Sequence, residues 1–161
     1  MQQNPVKASS QVEELRRVMQ RLFRRFGALS AESTPCGKPL PMAHAHALML
    51  LRAHGELSQR ALAAELCIDK SNVTRLCAKL ADSGHVQQRA NATDGRSRLV
   101  ALTPRGAQLA AEVDAASRAR FAALLNGLPK LRRSETILAL QRLVDALDAP
   151  EAALPSARIS A

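Results

Sequence analysis

Apolar side chains recur every three or four residues in six segments of this chain. That interval places them on one side of an α-helix, and therefore predicts six helices. The predicted helices span 12–26, 43–53, 58–66, 70–83, 104–127 and about 134–148. Ser58 and Asp69 are suitable N-caps for two of them, and Thr103 followed by Pro104 suits the start of another. The segment 33–41 contains three prolines and one glycine, which indicates a loop.

Two short segments, 87–92 and 98–102, have the composition of β-strands. The sequence TDG at 93–95 lies between them and suits a hairpin tip, because glycine relieves the turn of a Cβ atom. A hairpin is therefore predicted between the fourth and fifth helices. We predict a mainly α fold with a small β-wing, in which a winged helix-turn-helix occupies 42–106.

The helices before and after this central unit keep apolar stripes of their own. A helix as short as 12–26 cannot bury such a stripe alone and needs a partner. We predict that 10–30 and 107–148 supply the dimerisation helices of an intertwined homodimer, the commonest symmetric assembly. The alternative is a monomer in which these helices pack on their own central unit.

The chain is strongly basic, since 23 Lys and Arg against 14 Asp and Glu give a formal net charge of +9. Such an excess favours anionic partners, above all nucleic acid. No apolar run approaches the roughly 18 residues that suggest a membrane-spanning helix, and the N-terminal segment lacks the apolar core of a signal peptide. We therefore expect a cytoplasmic protein without a membrane partner.

Motifs for catalysis are not found in the sequence. It contains no nucleophile motif, no Gly-rich phosphate loop and no paired carboxylates at a useful spacing. His44 and His46 stand two positions apart on a helix and point to different faces, which makes a metal site a poor interpretation. We expect neither an enzyme nor a bound metal or cofactor.

The helix 70–83 carries the most specific chemistry. Its apolar residues, Val73, Leu76, Cys77 and Leu80, share one stripe, and the opposite face is short, polar and lightly basic. In a DNA major groove, arginine can bind guanine through two hydrogen bonds and asparagine can bind adenine in the same way. Basic residues of the hairpin can contact phosphates or a narrow minor groove. The alternative is an ordinary solvated helix face.

The candidate DNA contacts come from the two helices of the predicted helix-turn-helix and from the hairpin. They are Ser58, Gln59, Lys70, Ser71, Asn72, Thr74, Arg75, Lys79, Arg89, Arg96 and Arg98. Arg96 lies at the hairpin tip, whereas Arg89 and Arg98 lie on the flanking strands. Together with the polar helix face they predict one contiguous basic surface.

The segment from about 42 to 106 resembles the winged helix-turn-helix of the MarR family of transcription regulators. The resemblance is carried by LSQRALA at 57–63, DKSNVTRL at 69–76, and DGR at 94–96 followed by LTPRG at 102–106. The flanking helices match the family in placement and length. The resemblance implies a single domain over 1–161 and a homodimer whose terminal helices interleave. The tail, 149–161, is expected to be flexible.

The resemblance also implies a function. A protein of this family is expected to bind a pseudo-palindromic operator in double-stranded DNA, and to repress transcription until a small molecule or an oxidant releases it. In this family an acid near the recognition helix often pairs with the wing arginine, and the matching residues here are Asp69 and Arg96. The alternatives are a winged helix that binds protein and a nonspecific nucleic-acid coat.

Family members often bind phenolic or aryl carboxylates between the dimerisation helices and the DNA-binding lobe. The candidate residues for such an effector site are Leu22, Phe26, His44 and Met49, with Arg21 or Arg25 for the carboxylate. The alternative is that each of these residues is ordinary core.

The three cysteines have no metal-ligand spacing and are expected to be free thiols. Cys67 and Cys77 are expected in the core, which leaves Cys36 as the exposed thiol. The family's organic-hydroperoxide sensors carry a reactive cysteine in the first helix, and 12–26 has none. Thiol-based redox sensing is therefore the weaker alternative to a small-molecule effector.

Overall fold

The computed structural model describes residues 5–92 and 97–149, with side chains from residue 10 onward. The helices are α1 (Pro5–Phe26), α2 (Met42–His54), α3 (Gln59–Glu65), α4 (Lys70–Asp82), α5 (Pro104–Asn126) and α6 (Arg133–Asp148), with a 3-10 turn at Lys130–Arg132. The strands are β1 (Leu57–Ser58), β2 (Val86–Ala90) and β3 (Arg98–Leu102). The fold is mainly helical with a small antiparallel sheet, as predicted. The expected tail lies outside the described residues beyond position 149.

The sheet has the order β1-β3-β2, with both pairs antiparallel. In β3, Val100 pairs with Leu57 on one side and with Gln88 on the other. Strand β1 was missed by the sequence analysis, because two residues show no periodicity. It matters nonetheless, since β1 ends at Ser58, the residue that caps α3.

One hydrophobic core joins α2, α3, α4 and the sheet. Its largest fully buried side chains include Leu48, Leu51, Leu62, Val73, Cys77 and Val100. The apolar stripe predicted on α4 is confirmed, because all four of its side chains are buried. Burial raises the pKa of the Cys77 thiol to about 11, so that it stays protonated at neutral pH. The opposite, polar face of α4 is left in solvent.

Helix α5 begins against the turn that follows α4. The Thr103 amide donates to the His85 carbonyl (3.0 Å), and its hydroxyl donates to the Gly84 carbonyl (2.7 Å). The same hydroxyl accepts from the Gly106 amide (3.0 Å), which confirms Thr103 as the N-cap. A Cβ atom on Gly106 would lie 1.8 Å from the His85 carbonyl oxygen, so glycine alone fits there.

Large apolar side chains remain exposed on the helices outside the core. On α1, Val12, Leu15 and Val18 are 63, 51 and 54% exposed. The chain forms two compact units, one ending at Arg120 and one beginning at Phe121. The second unit exposes a row of its own on α6, comprising Ile137, Leu140, Val144 and Leu147. Contiguous apolar faces of this kind mark interaction surfaces, and they are the faces that the sequence assigns to dimerisation.

The prediction for two of the cysteines was wrong. Cys67 is exposed, whereas Cys36 is only partly so. Cys67 follows the end of α3 with a φ of 52°, a left-handed conformation that belongs to the turn and not to the buried face of the helix. The Cys36 Sγ atom lies 3.0 Å from the hydroxyl of Thr34, a buried residue of the loop.

Candidate nucleic-acid interface

Helix α4 presents the polar residues that the sequence selected. Asp69 is its N-cap, and its side chain accepts from the Asn72 amide at 2.7 Å. Ser71, Thr74 and Arg75 are exposed. An exposed polar face on a helix opposite a buried stripe is what a groove-binding helix requires.

The Asp69 carboxylate is held by several donors. Besides the Asn72 amide, the Ser71 hydroxyl donates to Oδ1 at 2.7 Å, and the Asn72 side-chain Nδ2 donates to Oδ2 at 2.6 Å. These hydrogen bonds, with the Asn72 amide the largest contributor, lower the pKa of Asp69. Asp69 therefore stays ionised at the N-terminus of α4, where negative charge is also favoured by the helix dipole.

Asn72 also contacts the arginine one turn further along α4. The Arg75 guanidinium donates through Nη2 to Asn72 Oδ1 at 2.7 Å. The three side chains of Asp69, Asn72 and Arg75 thus form a continuous hydrogen-bonded row on the exposed face. The contact between Asn72 and Arg75 was not predicted from the sequence, which suggested separate DNA contacts for the two residues.

A second network ties α3 to α4 and to the wing strand β2. Gln59 Nε2 donates to Gln88 Oε1 at 2.7 Å, and Gln88 Nε2 donates to the Cys77 carbonyl at 3.3 Å. The Thr74 hydroxyl donates to the Lys70 carbonyl at 2.8 Å and approaches Gln59 Oε1 at 3.4 Å. Gln88 was not among the site residues predicted from the sequence. The available signal was its strand position, two residues after buried Val86, where an apolar side chain is usual.

The space beside α4 is concave and cationic. A cavity of about 620 Å³ lies between α3, α4 and the strands β2 and β3. Its lining includes Gln59, Arg60, Lys70, Thr74, Gln88 and Arg98. Lys70 and Arg98 were both predicted DNA contacts, and the structure brings them to the rim of one depression.

Arg89 has an acidic partner. Its guanidinium donates to Glu56 through Nε (2.8 Å) and Nη2 (2.6 Å), a bidentate arrangement. Glu56 immediately precedes β1 and Arg89 lies on β2, so the pair spans the central strand β3. The Arg89 side chain nevertheless remains 61% exposed and can still meet a phosphate.

The remaining predicted DNA contacts are Ser58, Lys79 and Arg96, and the structure describes the first two. The Ser58 hydroxyl accepts from the Ala61 amide at 3.1 Å as the N-cap of α3. Lys79 lies on the second half of α4. Arg96 and the whole tip, 93–96, lie outside the described residues, and so does the expected pair of Asp69 with Arg96.

Two of the candidate effector residues, His44 and Met49, border different cavities. His44 borders a cavity of about 320 Å³ together with Lys79, His85 and Leu109. Met49 borders another, of about 230 Å³, beside the end of α3. Burial, and then the charge of Lys79, lower the pKa of His44. The other four candidates, Arg21, Leu22, Arg25 and Phe26, lie on α1.

The described residues also give two negative results. Nowhere in 5–92 or 97–149 do three His, Cys, Asp or Glu side chains come close enough to hold a metal ion. Within the same ranges, no helix is long and apolar enough to cross a membrane.

Comparison with known proteins gives a consistent result. Residues 38–97 match the family model described as MarR family. The chain is 37% identical over 97 residues to an HTH-type transcriptional regulator of Mycobacterium tuberculosis, covering 60% of this chain and 66% of that protein. It is 35% identical over 125 residues to the exopolysaccharide II synthesis transcriptional activator of Rhizobium meliloti, covering 76% of this chain and 64% of the relative. The chain thus spans slightly less than two thirds of the length of these relatives.

A solved structure extends the likeness to the fold. BpsR of Bordetella bronchiseptica superposes with a TM-score of 0.66 at 25% identity, covering 83% of this chain and 92% of that one. In BpsR, DNA binding is regulated by 6-hydroxynicotinic acid. Both sequence relatives are transcriptional regulators by name, which agrees with the prediction of a regulator and not an enzyme.

Proposed function

This chain belongs to the MarR family of transcription regulators, and on that premise we propose that it reads specific sites in double-stranded DNA. The observation that carries the proposal is the exposed polar face of α4, with Arg75 at its centre and the cations Lys70 and Arg98 beside it. A major groove accommodates one α-helix, and arginine is the commonest reader of guanine. Lys70, Arg89 and Arg98 then contact phosphates, which supply affinity without sequence information.

The same surface argues against the competing functions. A winged helix that binds protein is expected to expose apolar or acidic residues on this face, whereas Ser71, Asn72 and Arg75 are exposed here. A nonspecific coat needs phosphate contacts alone, and has no use for an arginine held on the outer face of α4. Sequence-specific binding therefore accounts for more of the observed arrangement.

We propose that the functional unit is a homodimer that binds a pseudo-palindromic operator in the cytoplasm. The support is the exposed apolar row on α1 and the separate one on α6. Two copies of α4 related by a two-fold axis read half-sites about one helical turn apart.

The first test compares two arginines. Arg75→Ala is expected to lose discrimination at one base pair of each half-site, by roughly 1–3 kcal/mol, because a bidentate contact disappears. Arg89→Ala is the matched control: it should weaken binding to every duplex alike and reduce the salt slope of log K by about 0.9 per lost phosphate contact. Selection of bound duplexes from a random pool, followed by competition titrations at two salt concentrations, measures both effects. An unchanged preferred site in Arg75→Ala would contradict base reading by this residue.

For regulation, we propose repression that is released when an aromatic acid occupies the cavity bordered by His44. The Lys79 ammonium at that cavity offers a partner for a carboxylate, and Leu109 offers an apolar wall. The Bordetella protein, whose DNA binding is regulated by 6-hydroxynicotinic acid, supports this class of effector. The relative from Rhizobium is named an activator, so transcription from the operator with and without this protein tests repression against activation.

His44→Ala tests the effector site. We expect it to bind operator DNA as the wild type does, but to need about tenfold more 6-hydroxynicotinic acid for release, as the loss of one buried polar contact implies. Fluorescence anisotropy of a labelled operator measures release. His46 is exposed and lies on a different face of α2, so His46→Ala is the control. Equal release curves for both variants and the wild type would contradict an effector site at His44.

A further inference from the structure

The exposed side chain of Asn72 makes hydrogen bonds to two neighbours, the N-cap Asp69 and Arg75 of the same helix. We propose that Asn72 is a positioning residue, which holds the Arg75 guanidinium in place for base reading by linking it to Asp69. The inference rests on the proposed function, since it concerns how α4 reads DNA. It assigns Asn72 a role different from the direct adenine contact that its residue type suggests.

The chemistry of the two neighbours fixes which way the Asn72 amide points. An ionised Asp69 carboxylate can only accept hydrogen bonds, and the Arg75 guanidinium can only donate them. The amide therefore turns Nδ2 to Asp69 Oδ2 (2.6 Å) and Oδ1 to Arg75 Nη2 (2.7 Å). The flipped amide would set oxygen against oxygen and nitrogen against nitrogen.

The row is anchored where the helix begins. Asp69 is fixed by the backbone amide of Asn72 and by the Ser71 hydroxyl, both at 2.7 Å. Asn72 and Arg75 follow at intervals of three residues, which are neighbours on a helix surface. The Arg75 guanidinium is thus connected, through the side chains of Asn72 and Asp69, to the backbone at the start of α4.

This arrangement fixes the plane of the Asn72 amide. Bidentate recognition of adenine requires Oδ1 and Nδ2 of asparagine together to turn toward the base, whereas Nδ2 is already bound to Asp69 and Oδ1 to Arg75, which leaves one N–H and one lone pair. The Arg75 guanidinium has five N–H groups and gives one to Asn72, which leaves enough for a bidentate contact to guanine. Of the two side chains, Arg75 is therefore the reader and Asn72 its support.

Holding the arginine before DNA arrives lowers the entropy that must be lost on binding. Fixing one long side chain corresponds to about a two- to tenfold effect on affinity. The benefit is realised only at the base pair that Arg75 reads. Loss of Asn72 should therefore weaken discrimination at that base pair, and not at a new one.

The experiment maps discrimination by base pair in five proteins: wild type, Asn72→Ala, Arg75→Ala, the double variant and Asn72→Asp. Each is titrated with the selected operator and with its complete set of single base-pair substitutions. We expect Asn72→Ala to lose about two- to tenfold at the base pair affected by Arg75→Ala. We expect the double variant to equal Arg75→Ala. Circular dichroism melting confirms that every variant is folded.

Asn72→Asp separates support from reading. It keeps an acceptor for Arg75, but it has no N–H to give to Asp69 or to adenine N7. Discrimination that is better in Asn72→Asp than in Asn72→Ala, at the same base pair, supports the positioning role, because only the contact with Arg75 is kept. Loss at a different base pair in Asn72→Ala, or additive losses in the double variant, would overturn it and leave the proposed function standing. A wild type that binds all duplexes equally would instead overturn the proposed function itself.

Discussion

Gly106→Ala is expected to destabilise the protein by about 3 kcal/mol or more, the upper range for overpacking. The added Cβ would stand 1.8 Å from the His85 carbonyl oxygen and 2.8 Å from the carbonyl carbon. Both are backbone atoms and cannot rotate away as a side chain can. Relief requires α5 to lift from the turn after α4, which would lengthen the hydrogen bonds that Thr103 makes to Gly84 and His85. Urea denaturation at one fixed protein concentration measures the loss.

Gly127→Ala is the matched control for this substitution. A Cβ there would meet its nearest atom, the Leu124 carbonyl oxygen, only at 3.4 Å, which is ordinary contact. The alanine should be neutral, or stabilise by up to about 1 kcal/mol through the unfolded chain. If both variants unfolded at the same urea concentration as the wild type, the close approach of α5 to His85 would be wrong.

Leu15→Glu is expected to convert a dimer into a monomer. Leu15 lies on the exposed apolar row of α1, between Val12 and Val18. In an interface, a carboxylate at this position would be buried without a partner once in each copy, at a cost of about 3 kcal/mol or more. Dimerisation should therefore weaken by at least about 100-fold. Sedimentation velocity over a range of concentrations measures the assembly, and operator titration shows whether paired half-sites are still bound.

The control for Leu15→Glu places the same side chain on the polar side of α1. Gln20 is exposed and lies across the helix from Leu15, among the arginines. Gln20→Glu changes the net charge equally and should leave the dimer intact. A dimer that persists in Leu15→Glu would show that α1 is not part of the interface. A monomeric wild-type protein would contradict the proposed dimer itself.

The features that were predictable from the sequence are those set by neighbours along the chain. The caps Ser58, Asp69 and Thr103 were all predicted, because an N-cap is a local signal followed by a helical pattern. The buried stripe of α4 was predicted for the same reason. The polar face of that helix, which includes Arg75, was predictable because it consists of the positions that the buried stripe does not use.

The features that were not predictable depend on residues far apart in sequence. Strand β1 exists because Leu57 pairs with Val100, and nothing in two residues indicates this pairing. The contact of Gln59 with Gln88 and the pair of Glu56 with Arg89 likewise join segments that only the folded chain brings together. The exposure of Cys67 follows from a single left-handed residue, which residue type did not signal.

Ser58 connects the β-sheet of the wing with the helix-turn-helix. It pairs with Leu99 at the end of β1 and, through its hydroxyl, begins α3. A ligand or a DNA groove that displaces β3 would also move the first turn of α3, because Ser58 contacts both. The positions of the hairpin and of the helix-turn-helix are therefore coupled, so DNA bound to one would help to orient the other.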